Sequence, residues 1–315
     1  MTEIVFQASE VTKEYFKLDR QGGLRKECVL DQLNMEIRRG EIYGFVGANG
    51  AGKTTLIRIL AGFYRQTGGR LELFGEDDPR KLYLQRRRIS GIIEKPAIYP
   101  HLSARENLEV CRRQRGIAGK QCIEEALEAV GLSDTGSKKA KNFSLGMRQR
   151  LGIAMALIGE SEFLFLDEPI NGLDPEGMVG LRELLKKLNR ERGITMLISS
   201  HLLSELHQLA TCYGFIHNKK ILEQITAEEL NEKCEKCLCV KVDQAAKAEM
   251  ILRMTFHLKN LEMAPDGVIK VHDMPDRLKI GHINKALVLE GVNVESMETE
   301  DGDLEKYYLS LIAEE

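Results

Sequence analysis

The stretch Gly47-Ala48-Asn49-Gly50-Ala51-Gly52-Lys53-Thr54-Thr55 decides how this chain is read. It satisfies the pattern G-x-x-x-x-G-K-[ST] in full. Before it, residues 41–46 (Glu-Ile-Tyr-Gly-Phe-Val) form a short, mostly apolar run, the mark of a buried strand. After it, residues 55–62 carry apolar side chains at helical spacing and stop at Gly62. Strand, glycine-rich loop and helix make the geometry of a phosphate cradle. Gly47, Gly50 and Gly52 permit backbone angles that a Cβ would forbid, so successive N–H groups can converge on phosphate oxygens. The helix start adds the positive end of its dipole. Lys53 brings a full charge to the β- and γ-phosphates, and the Thr54 hydroxyl suits Mg²⁺.

Two further segments deliver polar groups in the same manner. Residues 163–166 (Phe-Leu-Phe-Leu) run into Asp167-Glu168-Pro169. Four apolar residues ending in two acids read as a buried parallel strand with its carboxylates at the C-terminal end. Pro169 forces the chain to leave the strand. An aspartate in that place can hold Mg²⁺, directly or through water. A glutamate one residue further can orient or deprotonate an attacking water. Residues 195–200 (Thr-Met-Leu-Ile-Ser-Ser) form a second such strand, which delivers His201. A donor there can reach a γ-phosphate and the water beside it. Strands alternating with helices predict a parallel α/β sheet.

The remaining chain surrounds this core. Residues 5–11 and 29–37 alternate in polarity, residues 71–75 add a short strand, and residues 19–26 read as a polar surface loop. The opening therefore predicts a small antiparallel sheet beside the core. Residues 86–160 predict a mostly helical insertion, with helical spacing over 102–108 and 122–130 and a capping box formed by Ser103 and Glu106. A further helix opens at Phe143-Ser144 and runs to about Gly159, and an amphipathic helix covers 181–192. After Ile225 the texture changes. Strand-like segments at 238–242, 267–271 and 292–297 mix with helix-like ones at 245–257, 276–290 and 303–312. The expected organisation is a first domain over 1–225 and a small α+β domain over 226–315.

Bulk properties narrow the function classes. The chain has 315 residues, 43% hydrophobic and 30% charged, which suits one large globular domain and a smaller one. A net charge of −3 gives no footprint for nucleic acid. Met1-Thr-Glu-Ile-Val-Phe lacks the basic start and apolar core of a secretory signal. No apolar run approaches the roughly 18 residues of a membrane span. The expectation is a cytoplasmic protein that touches a membrane only through a partner. Seven cysteines, an odd number, suit reduced thiols. Cys234, Cys237 and Cys239 cluster, but no second Cys/His pair lies close in sequence to complete a tetrahedral site, so free thiols are the simpler reading.

With these motifs in place, the chain resembles the ATP-binding subunit of an ABC transporter over nearly all of residues 5–225. The cradle matches Walker A, and Asp167-Glu168 matches the end of Walker B. Phe143-Ser144-Leu145-Gly146-Met147 sits where the family has Leu-Ser-Gly-Gly-Gln, keeping Ser144 and Gly146. Gly172-Leu173-Asp174 matches the D-loop, and His201 the switch histidine. Tyr15 is similar to the aromatic that stacks on adenine, with Phe16 as the alternative. The resemblance implies an α/β P-loop NTPase core with antiparallel and helical subdomains, and ATP and Mg²⁺ as cofactors. It also implies a head-to-tail pair of subunits, expected to be a homodimer. In that pair Ser144 and Gly146 of one copy close the ATP held by Lys53 and Thr54 of the other, with Asp174 nearby. The partner in the membrane is a separately encoded permease, which places this subunit on the inner face of the cell membrane.

One departure stands out. Where most of the family has Gln, this chain has Glu94, in Ile92-Ile93-Glu94-Lys95-Pro96. A carboxylate can bind Mg²⁺ and accept a hydrogen bond from water, but it cannot donate as an amide does. The form of this segment resembles exporters of the bacitracin-resistance and lantibiotic-protection groups, which implies export of a peptide antibiotic or another amphipathic compound. An alternative is an ABC-type ATPase that acts on ribosomes or DNA. Such proteins usually carry two cassettes or a long coiled coil, and neither is present here. A P-loop kinase would leave the signature segment and D-loop unexplained.

Overall fold

The structure, a computed structural model, describes residues 3–18, 23–159, 161–234, 237–258, 260–264, 267–271, 280–300 and 304–313. The chain divides into two compact units, Met1–Ala227 and Glu228–Glu315.

The first unit is built on a sheet whose strands are apolar along their whole length. β3 (Ile42–Val46), β6 (Phe163–Asp167) and β7 (Thr195–Ser200) are buried at every position. That is the pattern of parallel strands covered on both faces. With β5 (Ile89–Ile92), β8 (Cys212–His217) and β9 (Lys220–Thr226) they form a six-stranded sheet in the order β5-β6-β7-β3-β8-β9. All neighbours are parallel except β8 and β9. Register places Val46 opposite Ser200 and Asp167 opposite Ser199. The ends of three strands therefore lie side by side at one edge, and the loops that leave them converge there.

A second, antiparallel sheet has the order β2-β1-β4, from β1 (Ile4–Leu18), β2 (Leu24–Arg38) and β4 (Gly68–Leu73). Its inner residues Val5, Phe6, Leu30, Leu33 and Ile37 share one core with Phe45, Leu56 and Phe163. Residues 24–26, expected in a loop, are the start of β2, paired with the end of β1. Of the rest of that expected loop, residues 19–22 lie outside the described residues.

Helices α1 (Lys53–Leu60), α2 (Leu82–Gln85), α3 (Ala104–Gln114), α4 (Gln121–Ala129), α5 (Leu145–Leu157), α6 (Pro175–Arg192) and α7 (Leu203–His207) complete this unit. The capping box at α3 is formed in both directions: Ser103 Oγ accepts from the Glu106 N–H, and Glu106 accepts from the Ser103 N–H at 2.6 Å. One expectation is corrected here. The helical insertion does not begin at residue 86, because residues 89–92 are the edge strand β5 of the core sheet. Its texture is disguised by Arg86-Arg87-Arg88 before it and by Gly91 within it. A Cβ at Gly91 would stand 1.9 Å from the Phe165 carbonyl oxygen, so the glycine is what lets β5 approach β6. The helical layer starts only at α3.

The second unit has its own core. α8 (Ala227–Lys233) leads into β10 (Cys237–Val242), α9 (Ala245–Phe256), β11 (Leu261–Met263), β12 (Val268–Val271), α10 (Ile280–Leu289), β13 (Val294–Glu300) and α11 (Leu304–Ala313). The sheet runs β11-β12-β10-β13 with antiparallel neighbours. Leu238, Val240 and Val242 alternate toward α9 and α10, where Ala248, Ile251, Leu252, Ile283 and Leu287 complete the core. β11 was not anticipated from sequence, being only three residues long. The expected start of α10 at 276 falls among residues outside those described, and α10 is observed from Ile280.

Candidate active site

The cradle follows β3 directly. Gly50 and Gly52 take φ of 85° and 114°, the left-handed region that favours glycine. A Cβ on Gly47 would meet the Ile216 carbonyl oxygen at 2.5 Å, and one on Gly52 would meet Leu30 at 2.6 Å. The loop is thus packed from behind and can present backbone only to its concave side. That hollow, of about 230 Å³, is lined by Ala48, Asn49, Gly50, Lys53, Thr54 and Thr55. Ala51 closes the turn by donating its N–H to the Ala48 carbonyl at 3.2 Å. Lys53 opens α1 and is 5% exposed. Its ammonium donates to the Gly47 carbonyl at 2.5 Å and the Ala48 carbonyl at 3.3 Å.

The acids stand across from it. Asp167 is 2% exposed and accepts from two hydroxyls, Thr54 Oγ1 at 2.8 Å and Ser199 Oγ at 2.6 Å. Glu168 has φ of 49°, a strained conformation for a residue with a side chain. Its N–H is held by Ser199, at 3.0 Å to the hydroxyl and 3.2 Å to the carbonyl. One carboxylate oxygen, Oε2, lies 2.8 Å from His201 Nδ1. The other, Oε1, lies 3.3 Å from the Lys53 ammonium but outside hydrogen-bond geometry, and is buried without a hydrogen-bond partner. A buried acceptor left open in this way is costly unless the site uses it.

This arrangement fits a magnesium nucleotide. Thr54 and Asp167 supply hard oxygen donors, the set Mg²⁺ takes when it shares substrate phosphates. Among the described residues, no group of three or more His, Cys, Asp or Glu is placed to hold a metal by itself. Cys234 and Cys239 are half-buried, while the Cys237 side chain lies outside the described residues.

Glu94 borders the same site. It lines a cavity of about 740 Å³ together with Thr54, Asp167 and Glu168. Its carboxylate, however, is engaged by the Arg58 guanidinium. Tyr15 is half-buried and meets Tyr64 edge-on, with ring centres 6.0 Å apart at 80°. Burial raises the pKa of its hydroxyl, with Tyr64 adding to the effect and a hydrogen bond to Thr55 opposing it. Phe16, the alternative aromatic, is 67% exposed.

The signature residues are elsewhere. Ser144 caps α5, accepting from the Met147 N–H at 3.2 Å, and Asp174 caps α6, accepting from the Gly177 N–H at 3.1 Å. Ser144, Gly146 and Asp174 line a separate hollow of about 630 Å³ with Gly172 and Arg150. The chain thus gathers Lys53, Thr54, Asp167, Glu168 and His201 into one site and keeps its signature hollow apart. Sequence reasoning missed Ser199, which braces both acids, and Arg58. The Ser-Ser pair ending a buried strand was the available signal for the first.

A phosphate cradle facing a strand-end acid pair and a histidine, with a detached second hollow at a helix start, defines an ATP-binding cassette. Residues 30–171 match the protein family described as ABC transporter. Over 308 residues the chain is 41% identical to the bacitracin transport ATP-binding protein BcrA of Bacillus licheniformis, covering 98% of this chain and 97% of that protein. It is 43% identical over 197 residues to the lantibiotic transport ATP-binding protein SrtF of Streptococcus pyogenes, covering 62% of this chain and 84% of that one. Among solved structures, it shares the fold of a dimeric ATP-binding cassette in a post-hydrolysis state with ADP and Pi, with a TM-score of 0.62 and 24% identity over 70% of this chain and 98% of that one. The chain belongs to the ATP-binding proteins of ABC transporters, ATPases that drive transport. No helix among the described residues is long and apolar enough to cross a membrane.

Proposed function

We propose that two copies of this chain close head to tail on two molecules of ATP and drive a separately encoded permease that exports a peptide antibiotic or similar amphipathic compound. The observation that carries the catalytic part is the Glu168 carboxylate, whose Oε2 meets His201 while its buried Oε1 faces Lys53 at 3.3 Å without a hydrogen-bond partner. In this reading Lys53 and the N–H groups of residues 47–55 bind the phosphates. Thr54 and Asp167 hold Mg²⁺, with Glu94 as a further oxygen donor, and the metal offsets charge on the phosphates. Glu168 orients and deprotonates the attacking water, and His201 steers that carboxylate and reaches the γ-phosphate. Tyr15 stacks on adenine. Ser144, Gly146 and Asp174 of the second copy close the site, offering the start of α5 to the γ-phosphate.

Hydrolysis breaks the bond between the β- and γ-phosphates; when the freed phosphate leaves, the link between the cradle of one copy and the start of α5 in the other is lost, and the pair opens. A groove of about 730 Å³ lined by Phe63, Ile92, Pro96, Tyr99 and Met155 supports a docking place for a cytoplasmic segment of the permease. Pro100, beside Tyr99, is a second candidate for that contact. The organisation proposed is an ATPase domain over 1–225 and an accessory domain over 226–315, peripheral on the inner membrane face. The peptide-antibiotic cargo is supported by the names of the bacitracin and lantibiotic relatives. Sensitivity profiling of a deletion strain tests it: selective sensitisation to cell-wall-directed peptides is expected. An unchanged profile, with the permease co-purifying, would remove the cargo assignment.

A further inference from the structure

Arg58 stands where two parts of the site meet. It lies on α1, the helix that opens with Lys53. Its Nη2 engages Glu94 Oε1, and its guanidinium carbon lies 5.6 Å from the Tyr64 ring centre. Tyr64 meets Tyr15 edge-on. Lys13, anchored on the Arg65 carbonyl at 2.8 Å, sits 4.8 Å from the Tyr15 ring centre and 5.7 Å from that of Tyr64. An unbroken run of contacts therefore joins Glu94 to Tyr15, two residues with no contact of their own to explain a link.

Glu94 is also held in an uncommon backbone state. Its φ is 59°, and the Lys95 N–H donates to the Ile93 carbonyl across it at 2.7 Å. A three-residue turn with positive φ at its centre is rare and strained for a residue with a side chain. Such a turn persists where its surroundings fix it. The carboxylate of this turn is fixed by Arg58.

We propose that Arg58 is a positioning residue that competes with the divalent metal for the Glu94 carboxylate and transmits the outcome to the Tyr64–Tyr15 pair. This rests on the metal role given to Glu94 above. With Glu94 on Arg58, the guanidinium charge is offset and the turn is pinned. With Glu94 drawn to the metal, the guanidinium keeps its charge, and the Tyr64 ring is the partner left to it. Events at the γ-phosphate end thereby alter the charge beside the pair that receives the base. Both ends bias one two-position element, which is the physical requirement for coupling. The Glu94 side chain is 64% exposed, so the pair has the modest strength of a surface ion pair. That strength tunes affinity by a few-fold and does not lock the site.

The test uses the full-length chain with ATP present and Mn²⁺ as the metal, its binding read by electron paramagnetic resonance. Arg58→Met should bind Mn²⁺ about two- to fivefold more tightly than wild type. Arg58→Lys, which keeps the charge but loses the fork, should fall between them. Glu94→Gln should bind Mn²⁺ more weakly, and the double variant should match Glu94→Gln. Unchanged Mn²⁺ affinity in Arg58→Met, with weakened binding in Glu94→Gln, would overturn the competition while leaving Glu94 its metal role. A gain that persists in the double variant would overturn it as well. Wild-type binding in Glu94→Gln would overturn both the metal role and this proposal. The relay has its own readout, since the chain has no tryptophan and tyrosine emission is unobscured. With ATP already bound, adding Mg²⁺ should change that emission in wild type and not in Arg58→Met; the same response in both would overturn the relay.

Discussion

His201 Nδ1 and Glu168 Oε2 stand 2.8 Å apart, although 33 residues separate them in the chain. The pairing of β6 with β7 brings them together, because Asp167 lies opposite Ser199 and each strand then releases its next residues at the same edge. The histidine leaves Glu168 Oε1 turned toward Lys53, where it has no hydrogen-bond partner. A carboxylate steered on one side and open on the other is suited to taking a proton from water.

Replacing this carboxylate should separate binding from turnover. Glu168→Gln keeps shape and retains nucleotide affinity, but loses about 10²- to 10⁴-fold in phosphate release, the range of a general base. A nucleotide-bound dimer should accumulate on size-exclusion chromatography. Undiminished release would remove Glu168 from the base role.

Ser199 should matter for both acids. Its hydroxyl donates to Asp167 and accepts from the Glu168 N–H. Ser199→Ala should weaken metal-dependent nucleotide binding or turnover about 10- to 100-fold, as removal of a group that orients a metal ligand does. Isothermal titration with MgATP checks this, and wild-type affinity and rate would show the hydroxyl to be dispensable.

Much of this was legible in the sequence where a single physical signal dominated. Residues 195–200 read as a strand because they are apolar enough to be buried on both faces, and the structure has β7 over those residues. Ser103 and Glu106 announced a helix start through their own side chains, and α3 begins at Ala104. β5 was hidden because Gly91 serves a close approach to Phe165, which leaves no periodic trace. β8 and β9 went unread, since a paired edge follows from register with distant strands. The partners of the site were hidden for the same reason. Arg58 and Glu94 are 36 residues apart, and Ser199 reaches Asp167 across 32, so only tertiary pairing joins them. Separation of Ser144 and Asp174 from Lys53 is likewise a property of the folded chain.

Gly91 gives a prediction on stability. With Phe165 O at 1.9 Å from an added Cβ, Gly91→Ala must push β5 away from β6. The expected loss is about 3 kcal/mol, seen as a fall in Tm of roughly 6–12 °C for a unit of this size. A thermal unfolding curve that overlays the wild type would contradict the contact.

Glu162 gives one on pH. Hydrogen bonds from Arg88, and secondarily Arg39, outweigh the opposing effect of burial and bring its pKa from 4.5 down to about 2. A carboxylate lowered on folding stabilises the fold at pH above its unfolded value, and that contribution fades as pH falls from about 4.5 toward about 2. The stability difference between wild type and Glu162→Gln, from urea unfolding, should be constant near neutrality and shrink in that window. A difference that persists unchanged at low pH would mean the charge contributes nothing.

The central claim is that each copy completes the other's nucleotide site. Its most direct measurement uses two variants with the native cysteines replaced, Asn49→Cys in one and Gly146→Cys in the other. Mixed together with ATP under mild oxidation, they should form a disulfide-linked dimer on a non-reducing gel, which neither variant forms alone. ATP bound with no mixed cross-link, or cross-links only between like variants, would contradict the head-to-tail pair.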